Sequence, residues 1–306
     1  MSSSSIALLS LVSVVVATLA SQHAKKSTSD LRGRSCSSSR VMKNMPPKEE
    51  GFIVVTRVHT ISASAIADPV KVCEFVDSVL EYAAKVVICI GIGSGSNQGG
   101  QIDDYVLSVR KLMNASQLSR VIFLSVVPWG RFTSPLNAAL VRAMDEPYSY
   151  IAFQSLEFRM PAKAAVKLLA RLKSDSDILV AGPAISGHEF AQGAQSLRGR
   201  SCPWNTFAIW SLPFLTLTGF PMIGDGHGPC AGGVEEVSAI SLLQHINPQL
   251  KALLVRLPGI EWNTTFEDTQ RAQWHERKMS SKNERPARQL DILGVKGGVV
   301  HHVDDE

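Results

Sequence analysis

Cysteine is scarce in this sequence, and the five that occur, at positions 36, 73, 89, 202 and 230, are scattered. No Cys-x-x-Cys pair is present, which excludes a zinc knuckle and a thioredoxin-type dithiol. An odd number leaves at least one thiol unpaired within the chain, so no disulfide scaffold is indicated. Cys73 and Cys89 lie in apolar runs and read as small core residues.

Several catalytic signatures are missing too. The loop "GIGSGSNQGG" (91–100) fits no GxGxxG frame, because Ser96 and Gln98 stand where the third glycine must fall. No Gly-Lys-Ser/Thr follows it, so it is not a P-loop; a flexible turn and a backbone-amide contact to ligand both fit it. "GHEF" (187–190) would open a zinc-protease HExxH motif, but Gln192 replaces the second histidine. The nucleophile elbow GxSxG is absent, which removes the main mark of an α/β-hydrolase. No internal repeat occurs.

The net charge of +4 is confined to a short segment. Residues 21–50 hold seven Lys/Arg against three acids, residues 1–20 have no charged side chain, and residues 51–306 are neutral. A neutral body has no pull on phosphate backbones, so nucleic acid is not an expected partner.

The N-terminus reads as a leader. Ile6 to Ala20 gives fifteen mostly apolar residues, short of the roughly 20 that span a bilayer. That length suits a signal-peptide core, with Thr18, Ala20 and Ser21 as a small-residue cleavage site, although no Lys or Arg precedes it. Residues 21–45 are Ser-rich, basic and almost free of acid, like a plastid transit segment. The expected location is the secretory pathway (ER or Golgi lumen) through a signal or short anchor, with a plastid as the alternative. Residues 1–50 are assigned to leader and linker, ending in "NMPPKEE".

From residue 51 strands and helices alternate. "GFIVVTRVHT" (51–60), a β-branched run, and "KVVICIGI" (85–92), "RVIFLSVVP" (120–128), "SYIAFQSLEF" (149–158) and "DILVAGPAI" (177–185) read as strands. Between them come helical patterns over 68–84, 102–115, 134–146 and 161–174. The first opens on Asp68-Pro69 and the third on Ser134-Pro135, cap residues with proline at the first turn. This rhythm predicts a mostly parallel sheet. After residue 186 it breaks into an aromatic and proline-rich segment, then the strand-like 251–262 and a basic helical pattern over 271–290. Residues 296–306 are expected to be a disordered tail.

Two stretches hold candidate chemistry, since ligands of open α/β sheets lie off the carboxyl ends of the strands. "FQSLEF" places Glu157 at the end of a buried run, where a lone carboxylate is costly unless a ligand, a metal or a loop position accommodates it. "GGVEEVSAISLLQ" (232–244) puts Glu235 and Glu236 in the first turn of a helix. There the dipole favours anions, and a carboxylate after a flexible loop is also a candidate general base.

The order of these pieces over residues 51 to about 250 resembles the inverting glycosyltransferases of the GT-A fold, family 2 type. It is similar also to algal and plant sequences whose function is not established. The matching run is "LNAAL" with Asn137, "FQSLEF" with Glu157, "DILVAGP", "PWNTFAIWSLPFLTLTGFP" with Asn205, Gly219 and Phe220, and "GGVEEVSAISL". The resemblance implies a single GT-A-like α/β domain over 51–295: a doubly wound, mostly parallel sheet, helices on both faces, and a less regular C-terminal acceptor half. It implies a nucleotide-sugar donor and a glycan, lipid or protein acceptor, with contacts at Asn137, Asn205, Gly219 and Phe220. Glu157 takes the place of the family's metal-binding residue, for Mn2+ or Mg2+, and Glu236, beside Glu235, that of its base. Trp204 and the aromatics after it form either an acceptor platform or packed core.

Two departures accompany the resemblance. Ser155 replaces the first carboxylate of the metal motif, and "ICIGIGSGSNQGG" has no acid where the family has an aspartate for the nucleotide base. These open the alternative of a non-catalytic GT-A-like binding or regulatory protein. A nucleotidyltransferase ranks behind both, because the first strand lacks a Gly-rich basic loop.

Overall fold

A computed structural model describes residues 50–60, 66–92, 98–260, 262, 273, 276 and 279–305. Residues 1–49, which fall within the expected leader and linker, and positions 93–97 of the glycine-rich loop lie outside the described residues.

Strand β2 (Lys85–Ile92) is buried without a break from Val86 to Gly91, and β1 (Ile53–Thr60) from Ile53 to Thr56. Burial at consecutive positions means that both faces of each strand are covered, as in the middle of a parallel sheet. Their neighbours are β3 (Val121–Ser125), β4 (Tyr150–Gln154), β5 (Ile178–Pro183), β7 (Phe207–Ser211), β10 (Lys251–Arg256), β11 (Val299–Asp304) and β6 (Gly193–Ser196). The sheet order is β3-β2-β1-β4-β7-β5-β10-β11-β6. Strand β7 is antiparallel to β4 and β5, β6 is antiparallel to β11, and every other pair is parallel. A two-stranded ribbon, β8 (Gly226–His227) with β9 (Cys230–Ala231), stands apart.

The helices are α1 (Pro69–Leu80), α2 (Gln98–Arg110), α3 (Ala115–Arg120), α4 (Thr133–Met144), α5 (Ala162–Ser174), the short α6 (Leu212–Leu215), α7 (Glu235–Ile246) and α8 (Glu284–Leu293). Among the described residues no helix is long and apolar enough to cross a membrane. Cys73, Cys89, Cys202 and Cys230 are buried free thiols.

The chain runs from β1 outward through β2 and β3, then returns to the other flank of β1 with β4. That reversal makes a crevice at the carboxyl ends of β1 and β4, where open α/β sheets bind ligands. Because β7 runs the opposite way, its first residues also lie at that rim: Phe207 pairs with Gln154, the last residue of β4.

Helix α1 starts as its sequence predicts, with the Asp68 side chain accepting from Val70 N–H at 2.9 Å and Pro69 in the first turn. Helix α4 does not. It begins at Thr133, one residue before the predicted cap Ser134, and no local side chain caps it. Asp225, in the 3-10 turn Met222–Asp225, does so from a distance. Its carboxylate accepts from Phe132 N–H (2.7 Å), Thr133 N–H (2.8 Å) and the Thr133 hydroxyl (2.7 Å). An acid so remote in sequence satisfies the open N–H groups of a helix start as a local cap does.

The expected disordered tail is corrected in part. Residues Val299–Asp304 form β11, hydrogen-bonded between β10 and β6. "VVHHVD" reads as polar in isolation, but Val300 and His302 turn inward and are buried. The His302 ring is met by Ala191 N–H at 3.1 Å and the Ser201 carbonyl at 2.9 Å, which removes the cost of burying it. The aromatic segment also resolves: Trp204, Phe207, Trp210 and Phe220 are core, each at most 2% exposed, and do not form an exposed platform.

Candidate active site

The "GGVEE" corner controls where the two glutamates go. Gly233 has φ +96°, open to glycine, but Val234 follows at φ 64°, ψ 40°. A β-branched residue in the left-handed region is strained by ~1–3 kcal/mol and persists only where its surroundings enforce it. Here the bend starts α7 without a side-chain cap and turns its first two side chains inward. Glu235 and Glu236 are each only 5% exposed, so both carboxylates need partners.

Asn205 supplies most of them. Its backbone N–H donates to Glu236 Oε1 at 2.6 Å and its side-chain amide to Glu235 Oε1 at 3.4 Å. Its own Oδ1 accepts from the Trp210 indole at 3.1 Å. Arg57, in the middle of β1, pairs with Glu235 at 3.8 Å and donates to the Phe132 carbonyl at 3.4 Å. Lys282 and Arg285 bring positive charge toward the pair from the C-terminal segment. Lys282 Nζ lies 2.9 Å from the Trp204 ring centre, and Arg285 donates to the Gly232 carbonyl at 2.8 Å. The other face of Trp204 carries His188, whose ring stacks at 3.6 Å. Burial and then the Lys282 charge lower the His188 pKa to about 3, so this imidazole is neutral and structural.

Burial, and then the neighbouring Glu235 charge, push Glu236 up to about 7, against the Asn205 N–H and Lys282. A folded-state pKa above the unfolded one means that the native state binds the proton more tightly. The stability that this proton confers is fully present below the ordinary carboxylate value of 4.5 and is lost as pH rises to about 7. Chemical denaturation at stepped pH should show that decline, and Glu236→Gln should flatten it. An unchanged slope in the variant would assign the decline to another group.

Glu157 reaches the same rim but not the same interior. It follows β4 and is exposed. Ser155 N–H donates to the Thr206 carbonyl at 3.0 Å, which ties this turn to the residue after Asn205. Desolvation and Arg57 lower the His59 pKa, and the Glu157 charge opposes them, so Glu157 faces the end of β1. Among the described residues no group of three or more His, Cys, Asp or Glu is placed to hold a metal ion. One exposed carboxylate beside a serine is too few ligands for Mn2+ or Mg2+, which take six or more oxygens, several from water or substrate. The residues described do not by themselves fit the ion.

Asn137, Gly219 and Phe220 do come together. Asn137 donates to the Phe220 carbonyl at 2.9 Å and accepts from its N–H at 2.8 Å, and Gly219 (φ +60°) lies against the same amide. The amide is spent on holding this loop, and Phe220 packs edge-on against Phe153 and Trp210. Sequence reasoning missed Arg57, Lys282 and Arg285. Only Arg57 left a signal, as the one Lys/Arg/Asp/Glu inside a strand that opens on a buried apolar run.

No family model matches the chain, and no curated protein does. Solved structures do. A mannosyltransferase from Pyrobaculum calidifontis, in complex with GDP-Man and Mn2+, superposes with a TM-score of 0.50 at 12% identity, over 84% of this chain and 69% of that one. Mannosyl-3-phosphoglycerate synthase from Rubrobacter xylanophilus gives 0.45 at 10% identity, over 80% and 75%. GalNAc-T7 with UDP, GalNAc and Mn2+ gives 0.37 at 13%, over 55% and 36%. The chain has a GT-A-like fold.

Proposed function

We propose that this protein is an inverting glycosyltransferase that moves a sugar from a nucleotide-diphosphate donor to an acceptor hydroxyl. One observation carries the reading beyond the fold. At the carboxyl rim of a GT-A-like sheet a buried carboxylate, Glu236, is pushed up to about 7, the proton affinity that suits a general base at neutral pH. Its neighbours are polar or charged, in keeping with a site and not with a misplaced acid.

In this reading the roles divide between the two glutamates. Arg57 and the Asn205 side chain hold Glu235, while Glu236 takes the proton of the acceptor hydroxyl. The freed oxygen forms the new bond at the anomeric carbon as the carbon–oxygen bond to the diphosphate breaks. A single displacement inverts that centre. The strain at Val234 fixes the base in place, and such positioning is worth orders of magnitude in rate.

A second reading, a GT-A-like binding or regulatory protein without turnover, is favoured by a specific observation: Asn137, Asn205 and Glu236 all spend hydrogen bonds within the chain. Calorimetric titration of the full chain with UDP and GDP, with and without Mn2+, tests both. Binding together with release of sugar from a matching donor supports the transferase. Binding without turnover on any donor or acceptor supports the second reading, and no nucleotide binding sinks the first.

A further inference from the structure

The corner that leads into the two glutamates is held from behind by α8. Arg285 and Gln289 stand one turn apart on that helix, so both face the corner. Gln289 Nε2 donates to the Ala231 carbonyl at 3.3 Å and to the Gly233 carbonyl at 3.1 Å. Arg285 donates to the Gly232 carbonyl between them at 2.8 Å. Three successive carbonyls are thus turned toward one helix. The 3-10 turn Met222–Asp225 closes in as well: Gly233 N–H donates to the Gly224 carbonyl at 2.7 Å, and a Cβ on Gly232 would lie 2.5 Å from the Asp225 carbonyl oxygen.

The Gly233 carbonyl belongs to the peptide that leads into Val234. Turning that peptide over is the direct route by which Val234 would leave φ 64° for an ordinary conformation, and a peptide whose oxygen is held does not turn over. The strain at Val234 therefore has an identifiable restraint. Stability does not account for the choice of residue. Gln289 is fully buried, and among the described residues no donor meets its Oε1. The cost of an acceptor left unmade in the interior offsets what its two donor bonds contribute.

We infer that Gln289 is a positioning residue for the glutamate pair: its amide, spanning the Ala231 and Gly233 carbonyls, keeps Val234 in the left-handed region and so fixes where Glu235 and Glu236 enter the site. This rests on the reading of Glu236 as the base, and it extends the machinery of that site to the C-terminal helix.

Gln289→Met keeps the length and the burial and alters no charge. The charges around Glu236 stay as they are: Glu235 on its own helix, Arg57 on β1, and Lys282 and Arg285 from the C-terminal segment. His188 is neutral above pH 4.5, and burial keeps the Cys202 thiol protonated. A changed pH response of the pair then reports its displacement. In the full chain, stepped-pH denaturation of Gln289→Met is expected to show no more than about half of the wild-type decline between pH 4.5 and 7. Affinity for UDP and GDP, read by calorimetry, should stay within about twofold, while turnover falls roughly 10- to 100-fold, the effect of a displacement of about 1 Å. Adding Val234→Gly, which removes the penalty of the left-handed conformation, should restore most of the rate and of the pH decline. An undiminished decline overturns the inference. So does an unchanged rate, a loss that Val234→Gly does not restore, or a Gln289→Met chain that fails to fold, which assigns the residue to stability. A wild type that shows the decline but turns over no donor sinks the transferase reading alone, and the pH response still decides the positioning. A wild type without the decline removes both.

Discussion

Glu236→Gln is expected to leave nucleotide affinity unchanged and to lower turnover by about 10²–10⁴-fold, the range over which a positioned general base contributes. The substitution is close to isosteric, and its amide oxygen still accepts from the Asn205 N–H that now meets Glu236 Oε1 at 2.6 Å. It removes the charge that takes the acceptor's proton and relieves the repulsion between two carboxylates that are each 5% exposed. The variant should therefore fold at least as stably as wild type at pH 8, where the native Glu236 is ionised and desolvated. The pairing of outcomes is informative. A slow variant with intact donor binding and raised stability identifies a buried charge kept for chemistry, whereas full activity would reduce the two glutamates to an ordinary acidic helix start. Glu235→Gln serves as a comparison. Its partner Arg57 is left with one fewer counter-charge at 3.8 Å, so it should cost stability as well as rate. Donor-release kinetics and denaturation on the same preparations check both.

The largest stability effect is expected at Trp210. It is fully buried on β7, between Ile151 of β4 and Val180 of β5, with the Phe220 ring edge-on at 5.3 Å. Trp210→Ala should cost about 3–5 kcal/mol, because it opens a large cavity on one face of the sheet, where the indole packs against Phe220. For a body of this size that is ~6–20 °C in melting temperature. Trp210→Phe keeps most of the volume but removes the donor that Asn205 Oδ1 accepts from at 3.1 Å. The orphaned acceptor should cost about 1–3 kcal/mol. It also loosens the residue whose N–H and side-chain amide hold both glutamates, so activity should fall further than stability predicts. Scanning calorimetry beside turnover measures the two effects. A Trp210→Phe enzyme with wild-type rate would separate Asn205 from the chemistry.

How far the architecture could be read without coordinates differs from element to element. Strands β1, β2 and β5 and helices α1 and α5 carry their own periodicity and, for α1, its own cap, so their type follows from neighbours a few residues away. Strand β7 is different. It is an aromatic run behind a Pro-Trp-Asn turn, and nothing local shows that it inserts antiparallel between β4 and β5. Strand β11 is short and holds two histidines, and only the open edge of β10 makes it a strand. At the start of α4 the sequence offers Ser134 as a local cap, whereas the acceptor is Asp225, 92 residues on from Thr133.

The same division holds at the site. That residues 51 to about 185 build a mostly parallel α/β sheet, and that two acids open a helix after a glycine pair, was determined by the order of residue types alone, since periodicity and turn chemistry act over a handful of positions. Which of those acids is buried, and what receives it, was decided only on folding. The Asn205 N–H lies 31 residues from Glu236, and Arg57 comes from the far end of the chain to meet Glu235. A carboxylate's proton affinity depends on the dielectric and charges within a few ångströms, and no local pattern encodes which distant segments supply them.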